Sequence, residues 1–151
     1  MGFRKGPSAA DSGLKKIVDT GTDTALTLTD GHSGTIFLVG GAGLAVVLPA
    51  AADLQNGWNA MFVGFYEDSG TLTDTTTITG AGTNELIGHT VTGLDGGSGA
   101  VGNRQLSTEG VFDSVKLHSI GLKGDWVEIT NIGSNYFVTG DSRIVNALPV
   151  A

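Results

Sequence analysis

Apolar and polar residues alternate with a period of two in several short segments of this chain, which is the pattern of half-buried β-strands. Leu26 and Leu28, for example, alternate with Thr27 and Thr29. The sequence therefore predicts an all-β fold, a β-sandwich or barrel-like domain of roughly eight to ten short strands with an extended N-terminal arm. The predicted strands cover residues 14–18, 24–29, 34–39, 44–48, 58–66, 77–79, 111–120, 125–132 and 135–139.

Turn residues mark where several of these strands end. Asp30-Gly31 predicts a hairpin turn between the second and third strands. Pro49 ends the fourth strand because it has no N–H to donate to a sheet. Residues 50–54 are then predicted to form one helical turn, and residues 67–77 are predicted to form a loop.

The segment from Trp58 to Tyr66 is the best core candidate, because its even and odd positions are both apolar. A strand of this kind is either central in a sheet or covered by a partner chain. One face carries Trp58, Ala60, Phe62, Gly64 and Tyr66, and the other carries Met61, Val63 and Phe65.

The 151 residues suit one domain. Residues 1–13 have no hydrophobic period and are predicted to form an arm. Residues 14–140 are predicted to form the β-domain, interrupted by a Gly-rich loop at 90–103, and residues 141–151 a C-terminal tail.

Charge is unevenly distributed between the arm and the domain. The first 16 residues carry four basic side chains and one acid, a local charge of +3, so the rest carries −10 of the total of −7. An acidic body repels phosphate backbones, which argues against a nucleic-acid partner. The arm is either a solvated leader or a partner-binding segment; in the second case the contacting residues are Phe3, Arg4, Lys5, Lys15 and Lys16.

Cysteine is absent, so the chain forms no disulfide, and folding in a reducing cytoplasm fits. The N-terminus lacks the apolar run of a secretory signal. No apolar stretch approaches the roughly 20 residues of a membrane span, so no membrane partner is expected.

Several catalytic signatures are incomplete. The segment Gly31-His32-Ser33-Gly34 lacks the fifth position and the following helix of a hydrolase nucleophile elbow. His32, His89 and His118 are too widely spaced along the chain for a typical zinc motif. We therefore expect no enzymatic activity, no catalytic or metal site and no cofactor.

The order of turns and apolar positions resembles a β-module of tailed-bacteriophage virion proteins. The likeness covers about residues 24–130 and is a pattern of turns and apolar positions. It rests on Asp30-Gly31-His32-Ser33-Gly34-Thr35-Ile36-Phe37, Val46-Val47-Leu48-Pro49-Ala50, Asn56-Gly57-Trp58-Asn59-Ala60-Met61-Phe62-Val63, Thr77-Ile78-Thr79, Leu86-Ile87-Gly88, Val115-Lys116-Leu117 and Gly124-Asp125-Trp126-Val127.

This resemblance implies a structural role in a virion, commonly as a homotrimer. We expect a capsid decoration (cement) protein that binds the major capsid protein on the outer capsid surface and is synthesised in the host cytoplasm. The alternative is a tail-fibre or baseplate module that binds host-surface glycan. Trp58 and Trp126 are its candidate sugar platforms, although alternation within their strands favours a core position for both.

Overall fold

The computed structural model of the protein describes residues 16–68, 70–82, 85–92 and 105–142, with the backbone alone at 89–92 and 105–112. Thirteen strands and two 3₁₀ turns, Asp30–His32 and Ala51–Asp53, occur in these ranges. The strands are β1 Lys16–Asp19, β2 Ala25–Thr27, β3 Thr35–Val39, β4 Ala45–Val47, β5 Asn59–Gly64, β6 Glu67–Asp68, β7 Thr71–Leu72, β8 Thr76–Thr79, β9 Leu86–Thr92, β10 Gln105–Phe112, β11 Ser114–Leu117, β12 Trp126–Asn131 and β13 Tyr136–Ser142.

Two sheets pack face to face around one core, as in a β-sandwich. The larger sheet has seven strands in the order β1-β3-β5-β12-β13-β9-β10, and the smaller has four in the order β11-β8-β4-β2. Strands β6 and β7 form a separate two-stranded ribbon. The predicted all-β class is therefore confirmed.

The first part of the chain winds back and forth between the two sheets. Strands β1, β3 and β5 are parallel neighbours in the larger sheet, and β2, β4 and β8 are parallel neighbours in the smaller one. The chain thus makes three stacked coils, which we number from the N-terminus: β1 with β2, β3 with β4, and β5 with β8. The antiparallel strands β12 and β11 continue the two sheets beyond the third coil.

The space between the sheets is filled by alternate residues of each strand. Strand β5 shows the pattern clearly, because Ala60, Phe62 and Gly64 are buried whereas Asn59, Met61 and Val63 are half-buried on the other side. The rings of Phe37 and Phe62 stack 5.3 Å apart in the middle of this core. Strand β5 lies between β3 and β12, so its predicted central position is confirmed.

Trp58 belongs to the core, with 3% of its surface exposed. Its indole Nε1 donates hydrogen bonds to the carbonyl oxygens of Thr29 and Asp30, each at 3.2 Å. These bonds hold the start of β5 against the 3₁₀ turn between β2 and β3. The core position predicted for Trp58 is confirmed.

Several predicted boundaries were wrong. Residues 67–77, predicted to be a loop, contain β6, β7 and the first two residues of β8. The first three residues of the predicted 90–103 loop belong to β9, and Asp141 and Ser142, assigned to the tail, end β13. The predicted strand 111–120 is broken at Asp113, between β10 and β11. The 3₁₀ turn at Ala51–Asp53 confirms the predicted helical turn.

Two buried threonine hydroxyls have no hydrogen-bond partner among the described residues, those of Thr35 and Thr76. An unpaired buried hydroxyl costs free energy that an isosteric methyl group does not. We expect Thr35→Val and Thr76→Val each to raise the free energy of unfolding by about 1 kcal/mol. Urea denaturation followed by tryptophan fluorescence measures this change. Thr77→Val, which changes a half-buried side chain on the outer side of β8, is the control and should have a smaller effect.

Candidate interaction surface

The face of the seven-stranded sheet that points away from the core carries a block of apolar side chains. Registered neighbours place Ile36 beside Met61 and place Leu38, Val63 and Trp126 in one row across three strands. Ile17 extends the block onto β1, where it pairs with Ile36. We call this block, Ile17, Ile36, Leu38, Met61, Val63 and Trp126, the outer patch.

The outer patch is an apolar surface on the outside of the domain. Its other members are half-buried, whereas Ile17 is 64% exposed. Acidic and polar side chains border it, with Glu128 next to Met61 and Asp141 next to Trp126 in the register of β12. Contiguous apolar surface with a polar rim is typical of a protein-contact site.

Trp126 is a member of this patch, so its predicted core position was wrong. Val127 and Ile129 of the same strand are fully buried, and alternation therefore turns Trp126, Glu128 and Thr130 outward. The sequence carries a signal for this parity, because the apolar Val127 and Ile129 alternate with the polar Glu128 and Thr130.

A second exposed group of side chains lies at the corner where β5 ends. The rings of Phe65 and Tyr66 meet edge to face at 5.3 Å, and Lys123 Nζ lies 4.5 Å from the centroid of Phe65. Phe65 is 39% exposed. The hydroxyl of Tyr66 donates a hydrogen bond to the carboxylate of Asp19, at the end of β1.

The Tyr66–Asp19 hydrogen bond ties the corner of the first coil to that of the third. It lowers the pKa of Asp19, with a smaller contribution from the backbone N–H of Gly21, which donates to the same carboxylate at 2.8 Å. The same bond raises the pKa of Tyr66. Gly41 lies between the Gly21 backbone and the Tyr66 ring, since a Cβ there would come 2.4 Å from the Gly21 carbonyl oxygen and 3.0 Å from the Tyr66 ring. The corner therefore needs glycine at position 41.

A third aromatic, Tyr136, is structural. It is fully buried, and its hydroxyl donates to the Pro49 carbonyl oxygen at 2.6 Å. Burial raises the pKa of Tyr136, with further contributions from the charges of Glu85 and Asp53. The hydrogen bond links β13 of the larger sheet to Pro49, which follows β4 of the smaller sheet.

The histidines singled out in the sequence do not converge on one site as far as the structure describes them. His32 Nδ1 accepts a hydrogen bond from the backbone N–H of Thr29 at 2.9 Å. His118 Nδ1 accepts one from the backbone N–H of Ile120 at 3.2 Å. Both imidazoles thus act within their own turns, while only the backbone of His89 is described, in β9. The described residues contain no group of three or more potential metal ligands.

Comparisons with known proteins do not assign a function to the outer patch. No family model matches this chain, and no curated protein or solved structure matches it either. Over the residues described, no helix has the length and apolar character needed to cross a membrane.

The predicted arm residues fall mostly outside the described part of the chain. Phe3, Arg4, Lys5 and Lys15 precede its first residue, so their predicted partner-binding role stays a prediction. Lys16, assigned to the same binding set, is the exposed first residue of β1 and therefore belongs to the sheet. Alternation places it on the core side of the sheet with Val18, opposite in face to Ile17 and the outer patch.

Proposed function

We propose that this protein is a capsid decoration protein that binds the outer surface of a phage shell, contacts the major capsid protein and stabilises the assembled particle. The observation that carries the proposal is the outer patch, an apolar surface with a polar border on the seven-stranded sheet. The resemblance to virion β-modules points the same way. Binding of a folded domain to a lattice adds the free energy of those contacts to the shell.

We further propose that the protein assembles as a homotrimer. Three copies arranged around a three-fold axis would turn their outer patches toward the shell together, because each patch lies on one side of its domain and is centred on β3 and β5. The resemblance to virion β-modules, which commonly form trimers, supports this arrangement, and closed symmetry is common among homo-oligomers. The arm, with its excess positive charge, is then available to reach the acidic surface of a capsid subunit.

A particle experiment tests the proposal. Shells carrying the protein should rupture at a higher temperature than shells from which it has been removed, and both should adsorb equally well to host cells. Met61→Asp, which places a charge in the centre of the outer patch, should reduce rebinding to stripped particles at least tenfold, equivalent to about 1.4 kcal/mol. Circular dichroism checks that the variant is folded.

Two further chains sharpen that experiment. Val47→Asp changes an exposed apolar residue on the opposite, smaller sheet and should leave rebinding unchanged. A chain without residues 1–13 should fold but rebind more weakly, with less dependence on salt. Equal rupture temperatures for decorated and stripped particles would contradict the proposal.

The second candidate is a fibre or baseplate module that binds host glycan, and the Phe65–Tyr66 corner is the observation that favours it. Exposed aromatic rings are suitable platforms for sugar rings. Trp58 no longer qualifies because it is buried. In this case Phe65→Ala should abolish retention on host glycans, and loss of the protein should prevent adsorption without weakening the shell.

A further inference from the structure

The first coil exposes an unpaired backbone edge on both sheets at the same end of the sandwich. Strand β1 ends the order of the larger sheet and β2 ends that of the smaller, so neither has a second neighbour among the described strands. We call this end, residues 16–19 and 25–27, the open end. An edge of this kind is a template for further strand pairing.

The hydrogen bonds to the second coil show which backbone groups point outward. Thr20 N–H donates to Leu38 O, and in the smaller sheet Leu28 N–H donates to Val47 O while Thr24 O accepts from Ala45 N–H. Because successive residues of a strand direct their N–H and C=O to opposite sides, the even-numbered residues face the second coil. The backbone groups of Ile17, Asp19, Ala25 and Thr27 therefore point away from the molecule.

The core is also incompletely closed at this end. Val18 and Leu26 point inward and pack against the core cluster, yet both are only half-buried, unlike their counterparts Phe37 and Val46 in the second coil. Among the residues that the structure describes, the open end therefore lacks both hydrogen-bond partners and a covering layer of apolar side chains. A suitable occupant must supply two strands, separated by the thickness of this sandwich.

We propose that the occupant is the open end of a second copy of this chain, related by a two-fold axis normal to the sheets. A second copy has two edge strands at the required separation by construction, so β1 pairs antiparallel with the partner copy's β1 while β2 pairs antiparallel with its β2. Thr20 and Thr24 begin and end the turn between β1 and β2. Ile17 lies three positions before this turn and Thr27 three positions after it. The proposed axis passes beside both residues.

Charge and shape are compatible with this pairing. With the axis beside Ile17, the antiparallel register places Lys16 of each copy opposite Val18 of the other, so like charges are not brought together. Ile17 meets its own copy on the outer side, which covers one of the most exposed apolar side chains of the described residues. Leu26 of each copy gains an apolar neighbour across the axis, Leu28 of the other copy.

The contact joins trimers rather than competing with them. In a shell, each local three-fold axis is surrounded by local two-fold axes, so open-end pairing would link neighbouring decoration trimers into a continuous net. This role in a net rests on the proposed function. The pairing of open ends does not, because it is expected of the purified chain.

Single-cysteine variants test the pairing directly, since the chain has no cysteine of its own. Antiparallel residues that exchange both hydrogen bonds have Cα atoms about 5.5 Å apart, which is within the roughly 4.4–6.8 Å span of a disulfide. Ile17→Cys and Thr27→Cys, each made in the full chain and oxidised with diamide, should both give a covalent dimer in high yield. Val47→Cys and Ile132→Cys, at comparably exposed positions, should remain mostly uncrosslinked.

Together, Ile17→Cys and Thr27→Cys distinguish the pairing of open ends from other contacts between copies. Packing through the outer patch could crosslink Ile17→Cys but not Thr27→Cys, which lies on the smaller sheet. Sedimentation velocity gives a second readout: Ile17→Lys opposes two like charges and should lower the mass of the associated species twofold, whereas Val47→Lys should not. The proposal is overturned if Thr27→Cys crosslinks no better than Val47→Cys, or if folded Ile17→Lys sediments like the wild type. Neither result bears on whether the protein binds a shell.

Discussion

Replacing Phe62 with alanine is expected to lower the free energy of unfolding by about 3–5 kcal/mol, the largest loss we foresee for a single core substitution. Phe62 is fully buried at the centre of β5, and its ring stacks on Phe37 at 5.3 Å with an angle of 16° between the planes. Alanine would leave a cavity between the sheets that surrounding strands, fixed by hydrogen bonds on both sides, cannot close. Urea denaturation measures the loss.

Two comparisons identify its cause. Phe65→Ala removes the same ring from a site that is 39% exposed, and we expect it to cost less than about 1 kcal/mol. A double-mutant cycle between Phe37→Leu and Phe62→Leu should give a coupling of about 0.5–1.5 kcal/mol for the stacked pair. Equal losses for Phe62→Ala and Phe65→Ala would contradict the position of Phe62 in the core.

Gly88→Ala is expected to cost at least about 3 kcal/mol and to free β9 from its neighbour β13. Gly88 has a φ of +133°, and a Cβ at this position would lie 2.2 Å from the carbonyl oxygen of Val138, its registered partner. Neither the backbone conformation nor the contact tolerates a side chain. The free energy of unfolding and the amide exchange of β9 and β13 should change together.

Gly124→Ala is the matched control for that substitution. Gly124 also has a positive φ, +94°, but a Cβ there has nothing within 4 Å. Its alanine variant therefore reports backbone strain alone, at about 1–3 kcal/mol. If Gly88→Ala is no more destabilising than Gly124→Ala, the close approach of β9 to Val138 does not limit the fold.

The period-two pattern was sufficient to predict the fold class, because alternate burial shapes nearly every strand. It predicted Trp58 and Phe62 correctly as core residues, since turn residues on either side fix where β5 begins and ends. The prediction placed Trp126 on the wrong face of β12. Val127 and Ile129 alternate with the polar Glu128 and Thr130, and this pattern indicates the face that the structure shows.

The larger error in the prediction concerned which strands are neighbours in a sheet. Asp30-Gly31 predicted a hairpin, but the 3₁₀ turn at this position carries the chain from the smaller sheet to the larger one, so β2 and β3 are not neighbours. Parallel neighbours lie a whole coil apart in sequence, and local turn signals do not report such distant contacts. One signal was present: Ala25-Leu26-Thr27-Leu28 and Ala45-Val46-Val47-Leu48 have matching patterns, and β2 and β4 pair with each other.

The candidate surface was harder to predict than the core. Strand β5 was expected either to be central or to be covered by a partner, and the structure shows the first while its half-buried outer side leaves room for the second. The outer patch draws its members from four strands, β1, β3, β5 and β12, that are distant in the chain. Its existence depends on the register of those strands.

The stacked coils also determine how this molecule could change its length. Each coil forms sheet hydrogen bonds with its immediate neighbours only, so a duplicated coil inserted between the first and second would find the same partners above and below. Such an insertion would move the open end outward by about 4.8 Å, the spacing of adjacent strands, while leaving β5, β12 and β13 in place. Insertion or deletion of whole coils could therefore change the distance between β5 and the open end in equal steps of one strand spacing.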